Sequence, residues 1–83
     1  MEKERLKELA AEKAVEEVRS GMILGLGTGS TIYYALLKLG QMVKVGLDII
    51  GIPTSEQTSQ IAEEQGIQLS TVMENPVIDL TID

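Results

Sequence analysis

Residues 22–31 read Met-Ile-Leu-Gly-Leu-Gly-Thr-Gly-Ser-Thr: a short apolar run, then a glycine-rich turn that opens into a helical pattern. This stretch constrains the fold more than any other. An apolar run this short is a buried strand, and the helical spacing that follows demands a sharp change of direction between the two. Backbone N–H groups at a helix start have no intrahelical partner and point toward any bound anion. Glycines let that backbone approach a guest closely. The segment therefore reads as a strand-to-helix turn able to cradle a phosphate or a developing oxyanion.

The rest of the chain alternates between two hydrophobic periods. Over residues 2–19, Leu6, Leu9, Ala10, Ala14, Val15 and Val18 recur at helical spacing, and Gly21 is expected to close that helix. Residues 22–26 are a strand. Residues 30–43 are helical, with Ile32, Ala35, Leu36, Leu39 and Val43 on one side. A second strand is expected over 48–52, stopped by Pro53. Thr54 or Ser55 can cap a third helix that buries Ile61 and Ala62 and ends near Gln65, with Gly66 closing it. Residues 67–70 are a short strand, Glu74-Asn75-Pro76 a turn, and 77–82 a last strand. Strands alternating with helices imply an α/β fold: a three-layer, Rossmann-like open parallel sheet with flanking helices on both faces. Ligands of such sheets bind beyond the carboxyl ends of the strands. The glycine turn, Thr54 with Ser55, and Asp83 all fall at such ends, so three segments converge on one rim.

Composition narrows the function. Thirteen acidic residues against seven basic ones give a net charge of −6, which argues against nucleic acid, whose phosphates need clustered Lys and Arg. The chain has no Cys and no His, so disulfides, a thiol nucleophile and an ordinary zinc site are not expected. No apolar run reaches the ~20 residues of a membrane span, and the charged start lacks a signal-peptide core. A cytoplasmic protein that binds neither nucleic acid nor membrane is the resulting expectation.

The glycine turn departs from two well-known loops. A dinucleotide fingerprint needs Gly-x-Gly-x-x-Gly, but Gly25, Gly27 and Gly29 alternate and Ser30 stands at the third glycine's place. Asp48 opens a strand rather than ending one, a poor position for a ribose hydroxyl. A P-loop needs a Lys after its glycines, and none follows here. Two readings stay open. One is an oxyanion or sugar-phosphate loop, with Thr28, Ser30 and Thr31 adding hydroxyl donors. The other is a plain tight turn with Ser30 or Thr31 as N-cap.

Three motifs carry a family resemblance: Gly-Leu-Gly-Thr-Gly-Ser-Thr (25–31), Gly-Ile-Pro-Thr-Ser (51–55) and Pro-Val-Ile-Asp-Leu-Thr-Ile-Asp (76–83). In order and spacing they resemble the N-terminal part of ribose-5-phosphate isomerase, type A, over nearly the whole chain. The resemblance implies aldose–ketose isomerisation of ribose 5-phosphate to ribulose 5-phosphate through an enediolate, without metal or organic cofactor. It implies a substrate loop of Thr28, Gly29, Ser30 and Thr31. Asp83 matches the first Asp of the family's Asp-Gly-Ala-Asp-Glu segment, which binds substrate and is linked to sugar-ring opening. Thr54 and Ser55 would support the site, and Lys7 is a further candidate for a phosphate contact. The Gly-Ala-Asp-Glu that follows in the family, the downstream lysine and glycine-rich segment, and the proton-accepting glutamate have no counterpart in these residues.

Neither Glu56 nor Glu74 matches that base, so no catalytic residue is assigned. Residues 1–83 are accordingly read as one α/β domain, incomplete relative to the family and expected to be inactive alone. Exposed backbone and apolar faces left by an incomplete sheet favour self-association as a homo-oligomer. A non-catalytic anion-binding or self-associating module is the competing reading. Of Tyr33 and Tyr34, adjacent helix residues about 100° apart, one is expected to pack and the other to meet solvent. Met22, Met42 and Met73 read as gap fillers.

Overall fold

The computed structural model describes residues 3–83. Its elements are α1 (Lys3–Val15), β1 (Ile23–Leu26), α2 (Ser30–Lys44), β2 (Ile50–Pro53), α3 (Glu56–Glu64), β3 (Gln68–Leu69) and β4 (Leu80–Ile82). The strands form one parallel sheet in the order β3-β2-β1-β4. The α/β class, the open parallel sheet and the flanking helices are those expected from the alternation of periods. The crossovers β1–α2–β2 and β2–α3–β3 step in one direction, and α2 packs on α3 as well as on α1. At the other face of β1, a Cβ on Gly25 would touch Thr81 and Ile78, from β4 and the segment leading to it.

The core explains why these elements form. Leu24 and Leu26 of β1, Ile32, Ala35, Leu36 and Leu39 of α2, Ala62 of α3 and Ile82 of β4 are all buried in one cluster. The α2 stripe is the one its 3.6-residue spacing predicts, with Val43 packed at its margin. Each of these leucine and isoleucine side chains contributes about 1.5–3 kcal/mol by leaving water. Gly40 lets α2 approach the end of α3: a Cβ there would lie 2.8 Å from that of Gln65.

Several expectations are corrected. The first helix ends at Val15, not near 19, and its tail is carried by turn bonds such as Val18 N–H to the Val15 carbonyl. Gly21 (φ +93°) therefore turns the chain into β1 rather than closing a helix. The expected start at Glu2 lies outside the described residues. On α1 the buried positions are Ala11 and Val15, whereas Ala10 and Leu6 are exposed. The second strand runs two residues later than expected and includes Pro53. Pro53 is tolerated because β3 pairs only with Ile50 and Gly51, so its missing N–H leaves no ladder bond unmade. The last strand is confined to Leu80–Ile82, because its pairing with β1 covers only Leu24 to Leu26. The chain's entry to that strand is held instead by Asp79, whose N–H and carboxylate bond the Ile23 backbone. Val77 remains exposed, and Met73 is almost fully exposed rather than a gap filler.

Candidate functional site

The carboxyl ends of β1, β2 and β4 meet at one rim, and the backbone there is tightly held. Gly27 donates its N–H to the Ile82 carbonyl at 2.8 Å. The Leu26 carbonyl accepts both the N–H (3.1 Å) and the hydroxyl (3.0 Å) of Thr54. The buried Thr58 hydroxyl donates to the Gly27 carbonyl at 2.9 Å. Asp83 lies directly against Gly27: a Cβ built there would stand 2.6 Å from the Asp83 Oδ1. A Cβ there would also stand 3.2 Å from the Asp83 Cα and the Ile82 carbonyl, so glycine suits the close approach of β1 to the end of β4.

Beyond this anchor the chain turns freely. Thr28, Gly29 and Ser30 are exposed and Thr31 is half-buried. Gly29 occupies the N-cap position of α2 at φ +106°, ψ 178°, a region essentially reserved for glycine, and no side chain caps the helix. Neither Ser30 nor Thr31 is the cap, which removes the side-chain cap expected of a plain turn. The amides of Thr28 to Thr31 and the hydroxyls of Thr28, Ser30 and Thr31 make no hydrogen bond to protein among the described residues outside α2's own ladder. The first turn of α2 carries no acidic residue. Its dipole, equivalent to roughly half a positive charge, is therefore not offset from within the helix. Such a set of donors can stabilise a phosphate oxygen or an enediolate oxygen.

A cavity of about 340 Å³ opens beside these donors, lined by Gly29, Ser30, Ile32, Tyr33, Gln57, Thr58 and Ile61. Sequence reasoning had no signal for Gln57 or Thr58. Their part depends on α3 presenting its first turn toward the loop. Tyr33 is the solvent-facing tyrosine and borders the cavity. Tyr34 packs against the core and donates its hydroxyl to Glu4 on α1 at 2.5 Å. That bond, followed by partial burial and the Glu4 charge, pushes the Tyr34 pKa above its ordinary value.

Ser55 is the N-cap of α3, accepting the Thr58 N–H at 3.2 Å, while Thr54 serves the β2–β1 rim. Glu56 sits in the first turn of α3, where it complements the dipole. Glu74 lies in an exposed turn, near Ser70 and Thr71. Among the described residues Lys7 forms no ion pair, and neither it nor either glutamate lines the cavity. No group of three or more acidic, His or Cys residues that could hold a metal is present among them. No described helix is long and apolar enough to cross a membrane.

No family model matches the chain. Individual proteins do. Ribose-5-phosphate isomerase A of Rhodopseudomonas palustris (strain BisB5) is 57% identical over 83 residues, all of this chain and 36% of that protein. A solved structure of D-ribose-5-phosphate isomerase in complex with phospho-erythronic acid superposes on the whole chain with a TM-score of 0.96 at 38% identity, covering 37% of its own length. Ribose 5-phosphate isomerase from Plasmodium falciparum matches 96% of the chain and 35% of its own length, with a TM-score of 0.90 and 44% identity. The chain thus spans about a third of the length of the relatives it matches. By sequence and by fold, the whole chain is similar to about a third of ribose-5-phosphate isomerase A, consistent with an N-terminal portion of that enzyme.

Proposed function

We propose that this chain provides the substrate-binding rim of a ribose-5-phosphate isomerase. In that reading Thr28, Gly29, Ser30 and Thr31 donate hydrogen bonds to ribose 5-phosphate. Asp83, held against Gly27, engages the sugar as its ring opens. Isomerisation moves one proton between adjacent carbons through an enediolate, and the amide cradle lowers the cost of that oxyanion. The single observation behind this reading is the uncapped start of α2 at the carboxyl rim, with its donors unspent and Asp83 beside it. The relative bound to phospho-erythronic acid supports the choice of a phosphorylated sugar.

No base among the described residues is assigned, so these residues alone are expected to bind and not to turn over. The test is a titration of the ¹⁵N-labelled chain with phospho-erythronic acid and, separately, inorganic phosphate. Shifts concentrated at residues 27–31 are expected. A flat titration at those amides refutes the binding role, and formation of ribulose 5-phosphate above the uncatalysed rate refutes the missing base. Cytoplasmic residence is part of the same proposal. So is self-association, which the exposed Val72, Met73, Val77 and Ile78 support. Sedimentation velocity showing a monomer at all concentrations would count against it.

A further inference from the structure

The buried side chain at the α3 N-terminus has a wiring that capping alone does not require. Ser55 and Thr58 occupy the N-cap and third helical positions, where a capping box ordinarily places a Glu or Gln that reaches back to the N-cap. Here the third position is a threonine, and its hydroxyl reaches away from its own helix. The Ser55 hydroxyl accepts the Thr58 N–H (3.2 Å) and donates to the Thr58 Oγ1 (3.0 Å). Thr58 Oγ1 then donates to the Gly27 carbonyl (2.9 Å). Each hydroxyl in this relay gives one proton and accepts one, a head-to-tail arrangement in which neighbouring bonds polarise each other. Thr58 is 2% exposed and is the one buried polar residue among the described core. Its bond spans 31 positions in sequence and ends on the residue immediately before the exposed turn.

We propose that Thr58 is a positioning residue. Its hydroxyl fixes the Gly27 peptide and thereby aims the free amides of Thr28 to Thr31. This rests on the binding role given above to those amides, but the wiring is testable without any ligand. The Leu26–Gly27 peptide is held on both sides, by the Gly27 N–H on the Ile82 carbonyl and by Thr54 on the Leu26 carbonyl, whereas the Gly27–Thr28 peptide is held by Thr58 alone among the described residues. Without Thr58, the α3 side of the peptide is released. The carbonyl can then rotate, and with it the amide plane that leads into the loop.

The experiment compares wild-type chain with Thr58→Val, which keeps the shape and removes the hydroxyl, and Thr58→Ser, which keeps the hydroxyl. Hydrogen exchange of the Gly27 amide is measured against the ladder amides of β1 and β2, and global stability by urea. In Thr58→Val, Gly27 is expected to exchange up to about tenfold faster than the ladder amides' own change accounts for, because freeing its carbonyl loosens the residue even though its own N–H keeps the Ile82 partner. Thr58→Ser should restore it. Inorganic phosphate should bind Thr58→Val several-fold more weakly and Thr58→Ser as wild type.

A purely structural threonine would move Gly27 and the ladder together, and that result overturns the proposal. So does a Thr58→Ser variant that fails to rescue. If Thr58→Val does not fold, the wild-type Thr58 hydroxyl proton decides. It should exchange slowly enough to be observed, and its loss to rapid exchange with water overturns the proposal. A Gly27 effect in Thr58→Val, with no phosphate binding by the wild-type chain, would leave the wiring intact and remove the binding role instead.

Discussion

Replacing Gly29 with alanine separates backbone geometry from packing at the candidate site. A Cβ at Gly29 would meet nothing within 4 Å, so no clash contributes. The cost arises only because φ +106° with ψ 178° is closed to L side chains. Holding that conformation costs about 1–3 kcal/mol. Alanine also restricts the unfolded chain, which returns about 0.4–1 kcal/mol. The net loss expected is about 1–2 kcal/mol, a fall in Tm of roughly 5–15 °C for a domain this small. Urea and thermal unfolding measure it.

The control is Gly46→Ala. Gly46 also has a left-handed φ (+113°) and open space around it, but it follows the far end of α2, roughly 22 Å of helix away. Both variants should lose similar stability. Only Gly29→Ala should also weaken phosphate shifts at residues 27–31, because the chain relieves its strain by turning those amides. A Gly29→Ala variant as stable as wild type, or one with unchanged phosphate shifts, would refute this reasoning.

Three further outcomes follow from the packing. Leu36→Ala, at a fully buried position of α2, should cost about 2–5 kcal/mol in urea unfolding, enough to leave so small a domain largely unfolded near 37 °C. Ser55→Ala should remove about 1 kcal/mol by loss of the α3 cap, seen as reduced Tm and faster exchange at the start of that helix. Tyr34 is held above its ordinary pKa by its bond to Glu4, so the folded state keeps that proton more tightly than the unfolded chain. The stabilisation is complete below pH 10 and is lost as pH rises past 10 through the raised folded value. Tyr34→Phe should flatten that alkaline decline in a pH series of unfolding curves.

Much of the architecture was legible because burial and periodicity are local records of the same fact. The stripe Ile32, Ala35, Leu36, Leu39 exists only to face a core, and it names α2 and its buried side without further help. Ser55 announces a helix start, and it is one. The edges were less legible. Residues 77–82 are apolar or β-branched at every position but Asp79, yet pairing is limited by β1, which offers partners only to Leu80, Thr81 and Ile82. On α1 the spacing favours Ala10, but the packing of α1 against α2 buries Ala11 instead. At the candidate site, the loop residues and Asp83 were visible as residue types at strand ends. Their spatial closeness was an inference from topology, now given distances by Gly27 and Asp83.

What the amino-acid order settled unaided was the menu of elements and the position of the glycine turn, since both follow from contacts within a few residues. It could not show that Gly29 rather than Ser30 or Thr31 holds the N-cap, because a hydroxyl's partner depends on the path of the backbone. It could not show that Thr58 reaches across 31 positions to the Gly27 carbonyl. Those features arise when β4 docks beside β1 and α3 folds back over β2. Only then do groups far apart in sequence come within hydrogen-bonding distance, and leave the start of α2 with donors to spare.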